Sequence, residues 1–184
     1  MPKFAAIVAV LLLALAACVS TAPRLTAMGE PIPGGVNFSG RWQLQQVAAG
    51  SGTGPKDATV AAKRDRSRGR PGAEGPSAYV FLRTGSALKI TQTPDGLFVS
   101  FDRSVVEEYR FREHRLVNVG PIEAERASGW VDGRYLIQTL DSEGALLEES
   151  YALDAGADVL IRTVTIDYGS KEILAFRHAY DRVD

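Results

Sequence analysis

Residues 122–140 read Ile-Glu-Ala-Glu-Arg-Ala-Ser-Gly-Trp-Val-Asp-Gly-Arg-Tyr-Leu-Ile-Gln-Thr-Leu. Two strand-like runs, Ile122 to Val131 and Tyr135 to Leu140, flank Asp132-Gly133. An Asp-Gly pair suits a two-residue hairpin, whose central residues take positive φ, because Gly adopts that conformation freely and Asp tolerates it. The same reading extends in both directions. Upstream, Phe38, Trp42 and Leu44 alternate with Arg41, Gln43 and Gln45, the signature of a half-buried strand. Tyr79 to Leu82 and Ala87 to Gln92 follow, then the turn Pro94-Asp95-Gly96, Leu97 to Phe101, Ser104 to Arg112 and Arg115 to Val119. Downstream come Leu146 to Leu153, Val159 to Ile166 and Glu172 to Tyr180. Asp141-Ser-Glu-Gly144, Asp154-Ala-Gly156-Ala and Tyr168-Gly169-Ser170 separate them.

Strands recurring about every ten residues, with no helical period of useful length, predict an all-β antiparallel meander of about 8–10 strands. Such a sheet closes into a soluble barrel or splits into a sandwich, because long open edges invite aggregation. A membrane-spanning barrel is not expected. It needs a lipid-facing apolar band on every strand, and charges interrupt both faces at Glu107, Glu108 and Arg110 and at Glu123, Glu125 and Arg126.

The N-terminus follows different rules. Phe4 to Ala17 contains no polar residue and follows Lys3. As a helix this run spans about 21 Å, short of the ~30 Å hydrocarbon core, so it reads as a secretory signal. It ends Leu15-Ala16-Ala17-Cys18, which resembles the lipobox of bacterial lipoproteins. That resemblance implies a signal peptide over residues 1–17 and a diacylglyceryl and fatty acyl (palmitate-type) anchor on Cys18, the only cysteine. Two or more acyl chains hold a protein at a membrane stably, whereas one does so only marginally. Val19 and Ser20 supply no Asp after the Cys, which in enteric-type lipoproteins favours the outer membrane. The expected location is the bacterial envelope, on the periplasmic side.

Residues 18–37 are small, polar and Pro/Gly-rich and read as a flexible tether. The expected single β domain is 38–184, interrupted by a disordered loop at 51–77 with six basic residues and three acidic ones. The net charge of −1 is therefore a cancellation. Without Lys3 it becomes −2, and a loop of +3 leaves −5 on the remainder. The basic loop is either a solvated insertion or a contact for an anionic envelope surface. Near-neutral overall charge removes the case for nucleic acid as a partner.

Little points to catalysis. There is no G-x-S-x-G, and the adjacent pairs Glu107-Glu108 and Glu148-Glu149 face opposite sides of a strand. His114, in the charged turn 112–115, and His178, in the last strand, have no ligand-spaced neighbours. No enzyme activity, metal or cofactor is expected.

Gly40-Arg41-Trp42 resembles the G-x-W signature on the first strand of lipocalins, and Thr165-Ile-Asp167-Tyr168 is a looser likeness to that family's T-D-Y motif. The resemblance implies a barrel whose end Trp42 closes, with a late arginine, Arg177 or Arg182, packed across its ring. It also implies a small hydrophobic or amphipathic ligand inside. The chain departs from the family by ending in one strand, without the usual helix. The competing expectation is a non-catalytic envelope interaction protein with a filled core.

Overall fold

The computed structural model describes residues 24–26, 28–45, 76–169 and 171–183. The expected signal peptide, Cys18 and nearly all of the expected loop 51–77 lie outside the described residues. Ten strands form one antiparallel sheet: β1 Gly40–Leu44, β2 Ala87–Gln92, β3 Gly96–Phe101, β4 Val105–Arg110 and β5 Glu113–Val119, then β6 Ile122–Val131, β7 Arg134–Asp141, β8 Ala145–Leu153, β9 Val159–Tyr168 and β10 Lys171–Val183. The order is β4-β3-β2-β1-β10-β9-β8-β7-β6-β5, so strands adjacent in sequence pair with each other except β4 and β5, and β1 also pairs with the last strand. Asp132 and Gly133 join β6 to β7 with φ of 50° and 75°, both positive as the hairpin turn demands.

One sheet, not two, makes this a nearly closed barrel rather than a sandwich. The seam lies between β4 and β5, which are neighbours in sequence but share no ladder. Side chains cross it instead. The Arg110 carbonyl accepts from the Ser128 hydroxyl at 2.8 Å and from Tyr135 at 3.3 Å. The Arg110 amide donates to Glu113 at 3.3 Å.

Alternation sets the interior. Trp42, Leu88, Ile90, Leu97, Val99, Tyr109, Trp130 and Tyr180 point inward and are buried at the end where β10 finishes. Leu147, Val164, Ile166 and Phe176 fill the half toward Tyr168.

Three expectations are corrected. Tyr79 to Leu82 is not a strand but part of a 3-10 turn, Ser77–Phe81. Residues three apart eclipse in such a turn, so Ala78 and Phe81 enter the barrel mouth together. The described part of the expected tether is mostly exposed yet held to the barrel at a few points. Met28 is buried against Ala127 and Leu136 on the outer face of β6 and β7, and Glu30 bridges to Trp130. The Thr26 amide donates to Gln138 at 2.6 Å. His114 lies in β5 rather than in a turn, outside the barrel and 3.4 Å from Glu125.

Candidate functional site

The chain closes one end of the barrel with the residues that the G-x-W likeness singled out. Trp42 is fully buried, and its Nε1 donates to the Phe38 carbonyl at 2.9 Å. Phe38 in turn stacks on Trp130, with centroids 5.4 Å apart and planes at 8°. The Arg182 guanidinium lies 4.1 Å from the Trp42 ring centroid and donates to the Ser39 carbonyl at 2.8 Å. It also reaches the Ala157 carbonyl at 3.2 Å. Gly40 permits this approach. Its φ is +149°, and a Cβ there would lie 2.6 Å from Arg182 Nη1. Arg177 is exposed on the outer face of β10 and takes no part. Replacing Arg182 with Ala removes the cation–π contact and leaves carbonyls without donors, for an expected loss of about 2 kcal/mol in urea unfolding. Arg177→Ala should change stability by less than about 0.5 kcal/mol.

Between the two apolar halves lies a charged layer that the sequence reading did not single out. Arg162 is completely buried on β9, and its Nη2 pairs with buried Glu149 on β8 and donates to the Arg83 carbonyl. Its guanidinium sits 5.2 Å from the Phe101 ring on the opposite wall and 5.8 Å from Tyr151. Arg126 on β6 reaches Glu107 at 3.6 Å, and Arg83 reaches the same carboxylate at 2.8 Å. Arg126 also lies 5.3 Å from the Tyr109 ring. Three guanidinium groups thus share two carboxylates.

The β-sheet register places Tyr151, Arg162 and His178 in one inward row across β8, β9 and β10. Directly opposite residues in antiparallel strands hold their Cβ atoms about 5 Å apart. Four buried atoms of this row have no hydrogen-bond partner among the described residues: Arg162 Nε and Nη1, Tyr151 OH and His178 Nδ1. Burial works against the Arg162 cation, but Tyr151 and Glu149 outweigh it and hold the guanidinium pKa above its ordinary value. Burial pushes the phenols of Tyr109, Tyr135, Tyr151 and Tyr180 upward, so each keeps its proton.

Burial and then the charge of Arg162 pull the His178 imidazole below its usual value. The unfolded chain therefore takes up this proton first as pH falls below about 6.5. The associated stability is complete above that pH and lost as the pH passes down through the folded value. His178→Phe should flatten the decline in urea stability between pH 7 and 5.5, relative to the parent chain.

Two hollows stand out on the surface, both open to solvent. One, of about 550 Å³, lies beside the β5–β6 and β7–β8 turns and is lined by Leu116, Ile122, Ala124, Leu140 and Asp141 among others. The other, of about 330 Å³, lies by Arg41, Lys89 and Arg182. Among the described residues there is no group of three or more His, Cys, Asp or Glu that could hold a metal. None of their helices is long and apolar enough to cross a membrane.

No protein-family model matches the chain, and no curated protein matches it. Two solved structures are similar to it: a secretory abundant heat soluble protein from Ramazzottius varieornatus, at 14% identity, and secretory abundant heat soluble protein 4 from the same organism, at 13%. Each covers 53% of this chain, with 70% and 69% of its own length and a TM-score of 0.41.

Proposed function

We propose that this chain is a non-catalytic lipoprotein, anchored to the outer membrane through Cys18, whose barrel holds a small amphipathic ligand in the periplasm. The lipobox residues Leu15 to Cys18 support the anchor. The observation that carries the ligand reading is the asymmetry of the barrel. One end is sealed by Phe38, Trp42, Trp130 and Arg182. The opposite end is ringed by apolar side chains that are only partly buried, including Val117, Val119, Ile122, Ile173 and Leu174. Incompletely covered apolar side chains at a barrel mouth suit an amphipathic guest.

A second reading has its own support. The tightly packed aromatic half fits an envelope interaction protein with a filled core.

Native mass spectrometry of the protein purified from envelope extract separates these readings. Acyl mass on Cys18, lost in Cys18→Ser, is expected, and an unmodified Cys18 would refute the anchor. A retained small molecule supports the binder, and a bare barrel in repeated preparations leaves the filled-core reading.

A further inference from the structure

We propose that the hollow between Arg41, Lys89 and Arg182 is a binding site for a phosphomonoester group. It lies on the outside of the sealed end and does not depend on a guest in the barrel interior.

The register makes two of these cations an unusual pair. Arg41 on β1 stands directly opposite Lys89 on β2, and both are exposed, outward-facing positions of their strands. Directly opposite residues hold their Cβ atoms about 5 Å apart, and like charges so placed destabilise a sheet. Among the described residues nothing of opposite sign relieves them, since none of the ion pairs there includes Arg41, Lys89 or Arg182. Their other register neighbours are Val183 and Ser100. The next carboxylate in the β1–β10 register, Asp181, stands opposite Gln43 and accepts from Gln45 at 2.7 Å.

Arg182 adds a third charge from the barrel rim. Its guanidinium is held over Trp42, and its hydrogen bonds among the described residues all end on backbone carbonyls, of Asn37, Ser39 and Ala157. The carbonyls fix its place and leave its net charge uncancelled. Gly40, without a side chain, lets this guanidinium reach the rim, since a Cβ there would lie 2.6 Å from Arg182 Nη1. The result is a hollow of about 330 Å³ lined by the three cations with Gly40, Ile90 and Val183, and by no carboxylate.

The donors select the guest. A guanidinium offers two parallel N–H donors to a pair of oxygens, and an ammonium is a compact point charge. A phosphomonoester carries about 1.5–2 negative charges on three terminal oxygens, enough to bridge Arg41 and Lys89 and still face Arg182. A carboxylate has one charge on two oxygens, so it engages one of the opposed cations and leaves the other unrelieved. The organic part of the ester rests against Val183, which is exposed at the rim. A free phosphate ester and a phospholipid headgroup both present this group.

The test is calorimetric titration of the purified full-length protein at constant ionic strength. The probes are glycerol 3-phosphate, dihexanoyl phosphatidic acid and acetate. At least one phosphate probe is expected to bind about ten-fold or more tightly than acetate. Glycerol 3-phosphate binding as well as the lipid assigns the site to free esters, and a lipid preference of about ten-fold assigns it to a headgroup. Arg41→Gln and Lys89→Gln should each weaken the phosphate probe about ten-fold. The Trp42 cap uses neither residue, so the urea midpoint should hold or rise as the like-charge pair is relieved. Lys89→Glu should abolish binding and raise the midpoint further, because it sets an opposite charge against Arg41. Binding of neither phosphate, equal affinity for acetate, or binding that survives both Gln substitutions overturns the site, and the interior ligand reading is untouched by any of them.

Discussion

Asp141→Ala should cost about 4 kcal/mol in urea unfolding, a far larger effect than most single substitutions have. The side chain is almost fully buried at the end of β7 and is committed on both oxygens. Oδ2 accepts from the Ser77 hydroxyl and the Ala78 amide, each at 2.8 Å. Oδ1 accepts from the Glu143 amide at 3.0 Å and the Ala145 amide at 2.8 Å. One carboxylate therefore pins the 3-10 turn to the barrel and closes the β7–β8 hairpin. Alanine leaves three backbone N–H groups unpaired, and each buried orphan costs about 1–3 kcal/mol before any rearrangement. Asparagine is no rescue, because its amide nitrogen must face N–H donors on one side, and a loss of about 2–3 kcal/mol is expected. Amide hydrogen exchange locates the damage. In Asp141→Ala, protection should fall first across residues 77–82 and 142–145, with β9 and β10 following only at global unfolding. Uniform loss of protection over the whole sheet would show that Asp141 supports the barrel as a unit and not the 3-10 turn and its hairpin alone.

The barrel was legible because its strands obey the period of two and turns such as Asp132-Gly133 carry residues that accept positive φ, whereas the positive φ of Arg103 and Ala157 leaves no such mark in the sequence. Trp42 and Arg182 were legible through a short motif, and β10 settles the choice of arginine geometrically. It runs to Val183, so Arg182 lies opposite Trp42 in the β1–β10 register, while Arg177 points outward. The contacts of the described residues before Phe38 were not legible. Leu25, Met28 and Val36 follow no period, since an irregular segment meets the barrel wherever its backbone allows. The trace of them lies on the other side of the contact. Ala127, Gly129 and Leu136 occupy outward positions of β6 and β7 yet are small or apolar, which signals a covered outer face. Gly129 is tightest, as a Cβ there would lie 2.7 Å from Met28 Cβ.

The charged layer was not legible for a related reason. Glu108, Glu123 and Glu125 stand in the outward phase of their strands, where charge is ordinary. Glu149 and Arg162 stand in the apolar phase, between Leu147 and Tyr151 and between Leu160 and Val164. A charge that keeps step with the buried residues of its strand is a better pointer to an interior site than any motif in this chain.

The interior pair supplies the second large effect. Arg162→Met alone should cost about 3–5 kcal/mol, because it leaves Glu149 buried without its guanidinium. Glu149→Leu alone should cost a similar amount, since the Arg162 cation then keeps only the Arg83 carbonyl and its aromatic neighbours. Removing both charges is a different experiment. Arg162→Met/Glu149→Leu takes away two desolvation penalties together with the attraction that offset them, and apolar side chains fill similar volume. The double variant should lie within about 1–2 kcal/mol of the parent, giving a coupling energy of several kcal/mol in the double-mutant cycle. Additive losses would show that each residue stabilises the barrel through other contacts, and that the pair is not the unit. If the cycle comes out as expected, the ion pair adds little to stability that two apolar residues could not supply. The same double variant should fold and melt almost as the parent does.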